Sequence, residues 1–201
     1  MSNFRRRLMM NFEKKYTPVE YLESTGTQYI DTGVKLNNNS SVEITAKFLA
    51  TAKNLSYYLF GSSIVNKRYM IAVGSTTNKY LVDLYSNGYR INSSVSAFDN
   101  EFHTHKVLNS KYYIDNVLQG TQTSLTFSNT ENAYIFDVKN RSTDSSVGVQ
   151  KWQIKKCKIY NSNTLVRDYI PVLDSSNRPC LYDKVEDKFY YNKGSGEFLY
   201  G

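Results

Sequence analysis

The chain alternates apolar and polar residues with the period of a β-strand, not of a helix. From Ser41 to Phe48 the pattern runs without error: Val42, Ile44, Ala46 and Phe48 share one face, and Ser41, Glu43, Thr45 and Lys47 the other. Such a segment has one dry side and one wet side. Tyr57–Phe60, Arg68–Val73, Lys79–Tyr85 and Phe102–Leu108 predict further strands. Lys111–Ile114 and Val117–Leu118 flank Asp115-Asn116, whose side chains tolerate positive φ, so a two-residue hairpin is expected there. Asn87-Gly88 is a second turn signal.

Between Val147 and Tyr160 the apolar parity changes twice. Val147 and Val149 agree, Trp152 and Ile154 take the opposite parity, and Cys157 and Ile159 switch back. One regular strand cannot place all six on one face, which predicts bulges near Gln150-Lys151 and Lys155-Lys156. Near the end, Lys188–Tyr191 and Glu197–Tyr200 bracket a Gly-rich turn and predict a closing hairpin. No segment from Tyr16 onward predicts a long helix. Roughly a dozen short strands with bulges predict a two-sheet antiparallel jelly-roll sandwich.

Composition agrees. Tyr supplies 18 of the 201 residues, and its ring packs on a pleated surface while its hydroxyl stays wet. The length suits one β-domain. The net charge of +7 is uneven. Arg5, Arg6, Arg7, Lys14 and Lys15 against Glu13 place +4 in residues 1–15, which leaves +3 for residues 16–201. The expected organisation is therefore a basic arm, 1–15, and one sandwich, 16–201. A weakly basic body disfavours nucleic acid as the main partner. Met1–Phe12 has a basic start but too short an apolar part for a signal-peptide core, so no cleaved signal is expected, and no apolar run could insert in a membrane. Cys157 and Cys180 are expected to be buried free thiols.

Three segments carry a resemblance. Val19–Gly33, Tyr112–Asn116 and the tail from Val166, with Arg167–Pro171 and Cys180–Asp183, are similar to concanavalin A-like, laminin-G-like modules of phage and prophage proteins of gut bacteria. The opening Met1–Met10 resembles the start of virion-associated proteins of Bacteroides-type phages. The resemblance implies a concanavalin A-like sandwich displayed on a virion as a head fibre, capsid decoration or tail fibre, made in a bacterial cytoplasm. It implies homo-oligomers, trimers among them, with other virion proteins and host surface glycans as partners. The alternative is a carbohydrate-binding module of a bacterial surface protein, or a glycoside hydrolase. In this setting Arg5, Arg6, Arg7, Leu8 and Phe12 are candidate particle-docking residues.

The chemistry-bearing residues point to binding. Glycosidases on this fold need two facing carboxylates, and their Glu-x-Asp-x-x-Glu run is missing. The acidic stretch Asp183–Asp187 is expected to be a solvated turn, so no enzyme is expected. His103 and His105, two apart on a strand, share a face and form a two-ligand metal edge, with no further ligand at a recognisable spacing; imidazoles simply resting on a sheet face are the reading preferred. Calcium is compatible with the fold but no motif supports it; Asp31, Asp83 and Asp137, near expected strand ends, are taken as turn formers. Arg167-Asp168 is taken as structural, with Pro171 at an edge or strand end. No cofactor is expected. The candidate glycan-binding residues are Tyr85, Asn87, Tyr89 and Arg90 around the Asn87-Gly88 turn, where aromatic faces meet apolar sugar faces and amides meet hydroxyls. A plain hairpin with cross-strand tyrosines is the competing reading.

Overall fold

The computed structural model describes residues 15–85, 89–123, 126–140 and 148–201. These form 17 strands in two sheets whose named strand pairs are all antiparallel. The fold is the expected two-sheet jelly-roll sandwich. The basic arm lies outside the described residues apart from Lys15, whose ammonium pairs with Asp187.

The larger sheet is built on β4 (Ser40–Phe48) and β13 (Gln150–Asn161), which pair from Phe48–Trp152 to Ser40–Asn161. Beyond β4 come β9 (Phe102–Leu108), β10 (Lys111–Ile114) and β11 (Val117–Thr121). On the other side of β13 lie β2 (Leu22–Gly26) and then β14 (Thr164–Asp174), followed by β15 (Pro179–Asp183) and β16 (Lys188–Tyr190). β1 (Tyr16–Pro18) joins β14, and β17 (Leu199–Tyr200) joins β2. The second sheet runs β3 (Ile30–Asn37), β12 (Ser128–Ile135), β5 (Tyr57–Ser62), β6 (Arg68–Val73), β7 (Lys79–Tyr85) and β8 (Arg90–Ser96).

The core lies between the sheets. Val42, Ile44, Ala46 and Phe48 are buried, as their alternation requires. Trp152 is wholly buried at the centre, with the rings of Phe48 at 4.8 Å and Tyr80 at 6.4 Å. Aromatic contacts of this kind add about 0.5–1.5 kcal/mol beyond burial.

One of the two expected bulges is present. The β13–β4 register shifts between Ile154 and Lys156. That returns Cys157 and Ile159 to the core, where both are wholly buried. The bulge expected at Gln150-Lys151 is not there: β13 pairs with β2 without a break from Gln150 to Ile154. Val149 is 57% exposed, so it never needed to share a face with Trp152. The Asp115-Asn116 hairpin is as expected, with φ of +50° and +66°.

Two expectations in the tail are corrected. The strands around the Gly-rich turn do not pair with each other: β16 pairs with β15, and β17 with β2. Residues 192–196 instead clasp the loop before β3. Lys193 N donates to Tyr29 O, Ser195 N to Thr27 O, and Asn192 Oδ1 accepts from Tyr29 N. Of the edge or strand-end positions expected for Pro171, the strand end is not the one it takes. It lies inside β14, where the neighbour on one side changes from β13, last paired at Tyr169, to β1, first paired at Val172. No N–H is needed at that handover, so a residue lacking one is tolerated there.

Candidate functional site

The central strands β6 and β7 of the second sheet are dry on both faces, and that fact locates the site. In β6, Tyr69, Ile71 and Val73 face the core, as do Tyr80, Val82 and Leu84 in β7. The opposite face of the same strands carries Met70, Ala72, Leu81 and Asp83. These are only 4%, 2%, 2% and 0% exposed, although they point away from the larger sheet. Met70, Ala72 and Leu81 form the floor of a groove of about 390 Å³ whose walls include Ser56, Tyr58, Ser63, Arg68, Arg90 and Asn140, while Asp83 is buried beside it.

Asp83 anchors one end. Met70, Asp83 and Arg90 form a row of paired residues across β6, β7 and β8. Arg90 Nε and Nη2 donate to Asp83 Oδ1 and Oδ2 at 2.7 and 2.8 Å, a two-pronged pairing. Arg68 Nη1 lies 3.7 Å from Oδ2. The hydrogen bond to Asp83 raises the Arg90 pKa further, against the opposing effect of burial. Two cations against one carboxylate leave this end of the groove with net positive charge.

The other wall depends on a residue from the opposite sheet. Gln150 of β13 accepts a hydrogen bond from Tyr58 N through Oε1 and donates to Gly148 O at 2.6 Å. It is 1% exposed, so its amide is fixed, and it holds the backbone that carries the Tyr58 ring. Beside Tyr58, β5 bulges between Tyr58 and Phe60. Gly61 then takes φ of +121°, and a Cβ there would sit 1.9 Å from Tyr69 O. Only glycine lets β5 approach β6 at this point.

Of the four sequence-derived glycan candidates, the structure brings one to this groove. Arg90 belongs to it. Tyr85 leaves the strand geometry with φ of +77°, and its ring packs on Tyr89 at 5.4 Å and Phe127 at 6.3 Å. Tyr85 therefore lines a separate narrow cleft with Asn38, Ser40, Tyr69 and Phe127. Asn87 lies outside the described residues. Asp83 was missed: it is no turn former at a strand end but a buried carboxylate inside β7. The available signal was an acid inside the apolar run Lys79–Tyr85, since a buried carboxylate needs a cation.

The remaining candidates have structural partners. His105 is wholly buried, with Nδ1 2.8 Å from Tyr112 Oη. His103 does share its face, but lies between Asp115 Oδ2 at 2.6 Å and Asp99 Oδ2 at 2.8 Å. These carboxylate neighbours come from turns, out of reach of a spacing rule. Burial pushes the His105 pKa down to about 3. Burial also opposes charge on His103, but its hydrogen bonds to the Asp115 and Asp99 carboxylates outweigh it and raise its pKa. Among the described residues no three His, Cys, Asp or Glu side chains converge on a metal site. Arg167 and Asp168 do not pair with each other: Arg167 meets Glu186 at 2.7 Å and Asp183 at 3.5 Å, and Asp168 meets Lys184 at 3.0 Å. Residues 184–187 form the expected exposed turn, but Asp183 ends β15, is wholly buried and accepts from the Asp168 and Val185 amides. Asp31, like Asp83, is no turn former: it lies inside β3, paired with Tyr134, and accepts from Gly33 N at 2.9 Å.

No protein-family model matches the sequence. No curated protein matches it either. Among solved structures, the chain is similar to a protein from Bacteroides ovatus named a "putative carbohydrate binding protein", with a TM-score of 0.62 at 10% sequence identity. The match covers 92% of this chain and 60% of that one, so this chain spans well under two thirds of its neighbour's length. At that identity the likeness concerns the fold, and the all-β sandwich is what the two proteins share.

Proposed function

We propose that the chain is a non-catalytic carbohydrate-binding sandwich whose binding surface is the groove on the outer face of β5–β8. The carrying observation is the groove's amphipathic lining. The Tyr58 ring and the exposed Val65 offer apolar surface above the buried floor of Met70, Ala72 and Leu81. Ser56, Ser63, Arg68, Arg90 and Asn140 surround it with hydrogen-bonding groups. Sugars present the same combination, apolar ring faces with hydroxyls at the edge, and a groove lined by more polar than apolar surface suits a ligand rich in hydroxyls. The carbohydrate-binding name of the neighbouring fold supports the reading.

A binding role fits the groove's acid chemistry better than hydrolysis does. Hydrolysis needs two carboxyl groups flanking the scissile bond. Among the described residues the carboxylate next to the groove is Asp83, which is buried and closed off by two guanidinium groups. Titrating a panel of soluble oligosaccharides into the full chain should give saturable binding without release of reducing ends. Steady turnover, or no binding across a broad panel, would refute the proposal.

The finer reading is a displayed component of a phage particle. It rests on the resemblance of Val19–Gly33, Tyr112–Asn116 and Val166–Gly201 to virion-associated modules, and on the +4 charge of residues 1–15. Deleting residues 1–14 should leave the melting temperature nearly unchanged and remove the protein from particles. Incorporation at the normal copy number would contradict a docking role for Arg5, Arg6, Arg7, Leu8 and Phe12.

A further inference from the structure

We infer that the groove selects saccharides that carry a carboxylate, such as oligouronates, with Arg68 as the residue that meets the anion. The inference rests on the carbohydrate-binding reading and adds the ligand's charge. Arg90 is already committed: two of its nitrogens hold Asp83 at 2.7 and 2.8 Å, which fixes the guanidinium plane. Arg68 is not. Its approach to Asp83 is a longer 3.7 Å contact through Nη1, and it makes no closer polar contact among the described residues. Its side chain is 22% exposed, so it is dry enough for charge to count and open enough to be reached.

The charge balance points the same way. Asp83 neutralises one guanidinium and is itself wholly buried beneath the pair, out of reach of a ligand cation. The charged side chains lining the groove are Arg68 and Arg90 alone among the described residues. Among the described residues one positive charge is therefore left over at the end of a partly dry groove, and a ligand carboxylate would complete the set. A guanidinium presents its N–H groups in a planar fork that suits a carboxylate, and such charge-assisted bonds are shorter and stronger than neutral ones. The groove beside Arg68, bordered by Tyr58 and Val65, leaves room for the sugar ring.

The test uses the full chain and calorimetric titration with oligogalacturonate, its carboxyl-reduced neutral counterpart and a sulfated oligosaccharide of similar length. The uronate should bind about tenfold or more tightly than its reduced counterpart, with a preference that weakens as salt is raised. Arg68→Met should bring the two affinities within about twofold, while Arg68→Lys keeps part of the preference. Thermal melting of both variants shows that they fold, since Arg90 still holds Asp83 in each. Equal binding of uronate and reduced sugar would overturn the inference and leave the carbohydrate-binding reading standing. A preference that survives Arg68→Met, or tighter binding of the sulfated sugar, would also overturn it. Failure of every sugar to bind would remove both.

Discussion

The Arg90 guanidinium grips the wholly buried Asp83 carboxylate with two hydrogen bonds, across the pairing of β7 with β8. Removing the two partners should have unequal effects. Arg90→Met leaves a dry carboxylate with only the longer Arg68 contact. We expect a loss of about 2 kcal/mol, below the ~3–5 kcal/mol of fully buried pairs because the Arg90 side chain is 38% exposed. Asp83→Asn leaves two cations that can still reach water, and should cost about 1 kcal/mol or less. Urea unfolding of both variants checks the order. A larger loss for Asp83→Asn would be inconsistent with the burial argument.

His103 and His105 should give opposite pH dependences although they share one strand. The His105 pKa is pushed down to about 3 from 6.5. An unfolded chain therefore takes up a proton that the native state refuses. Its contribution is whole above pH 6.5 and is lost as pH falls from 6.5 toward 3, by up to about 5 kcal/mol. His103 has a raised pKa, so its contribution is whole below 6.5 and is lost as pH rises through the native value. Nuclear magnetic resonance titration should show His103 changing above pH 6.5 and His105 unchanged down to pH 4. Two ordinary titrations near 6.5 would contradict the account.

Asp115 and Asn116 both sit at positive φ in the β10–β11 turn. Asp115 also accepts from Thr104 N at 2.8 Å and pairs with His103. Asp115→Ala loses those bonds and strains the turn, and should lower stability by about 1–2 kcal/mol. Asn116→Gly places the favoured residue at the second turn position and should be neutral or slightly stabilising. Thermal melts separate the two, and a destabilising Asn116→Gly would argue against this turn geometry.

Cys157 and Cys180 are free and buried. Burial raises both thiols, Cys180 up to about 12. A thiol reagent should find neither in the native protein and both after denaturation without reductant. Rapid native reaction would show an exposure the structure lacks.

The sandwich was legible because alternation is a local property. Ser41–Phe48 announces its buried face residue by residue, and Asp115-Asn116 its turn. What failed was information held between distant segments. Val149 looked like a core residue because valine carries no label for exposure. The two aromatic strands of the tail looked like a hairpin, but each found a better partner elsewhere, in β15 and β2. The site was half visible. Arg90 was picked out for its place beside a turn, while Asp83, Tyr58, Met70 and Leu81 converge only once β5–β8 are aligned. Tyr85 was lost to its positive φ, which no pattern of apolar residues encodes.

The most direct test of a carbohydrate-binding groove compares two aromatic substitutions with one ligand. Tyr58 lines the groove, whereas Tyr85 lines the separate cleft beside Phe127. Calorimetric titration of the tightest oligosaccharide should show Tyr58→Ala weakening binding about tenfold or more, as loss of a stacking aromatic would. Tyr85→Ala should bind like the unaltered chain, with both variants folded by thermal melting. Unchanged affinity in Tyr58→Ala, or loss confined to Tyr85→Ala, would contradict the groove as the binding surface.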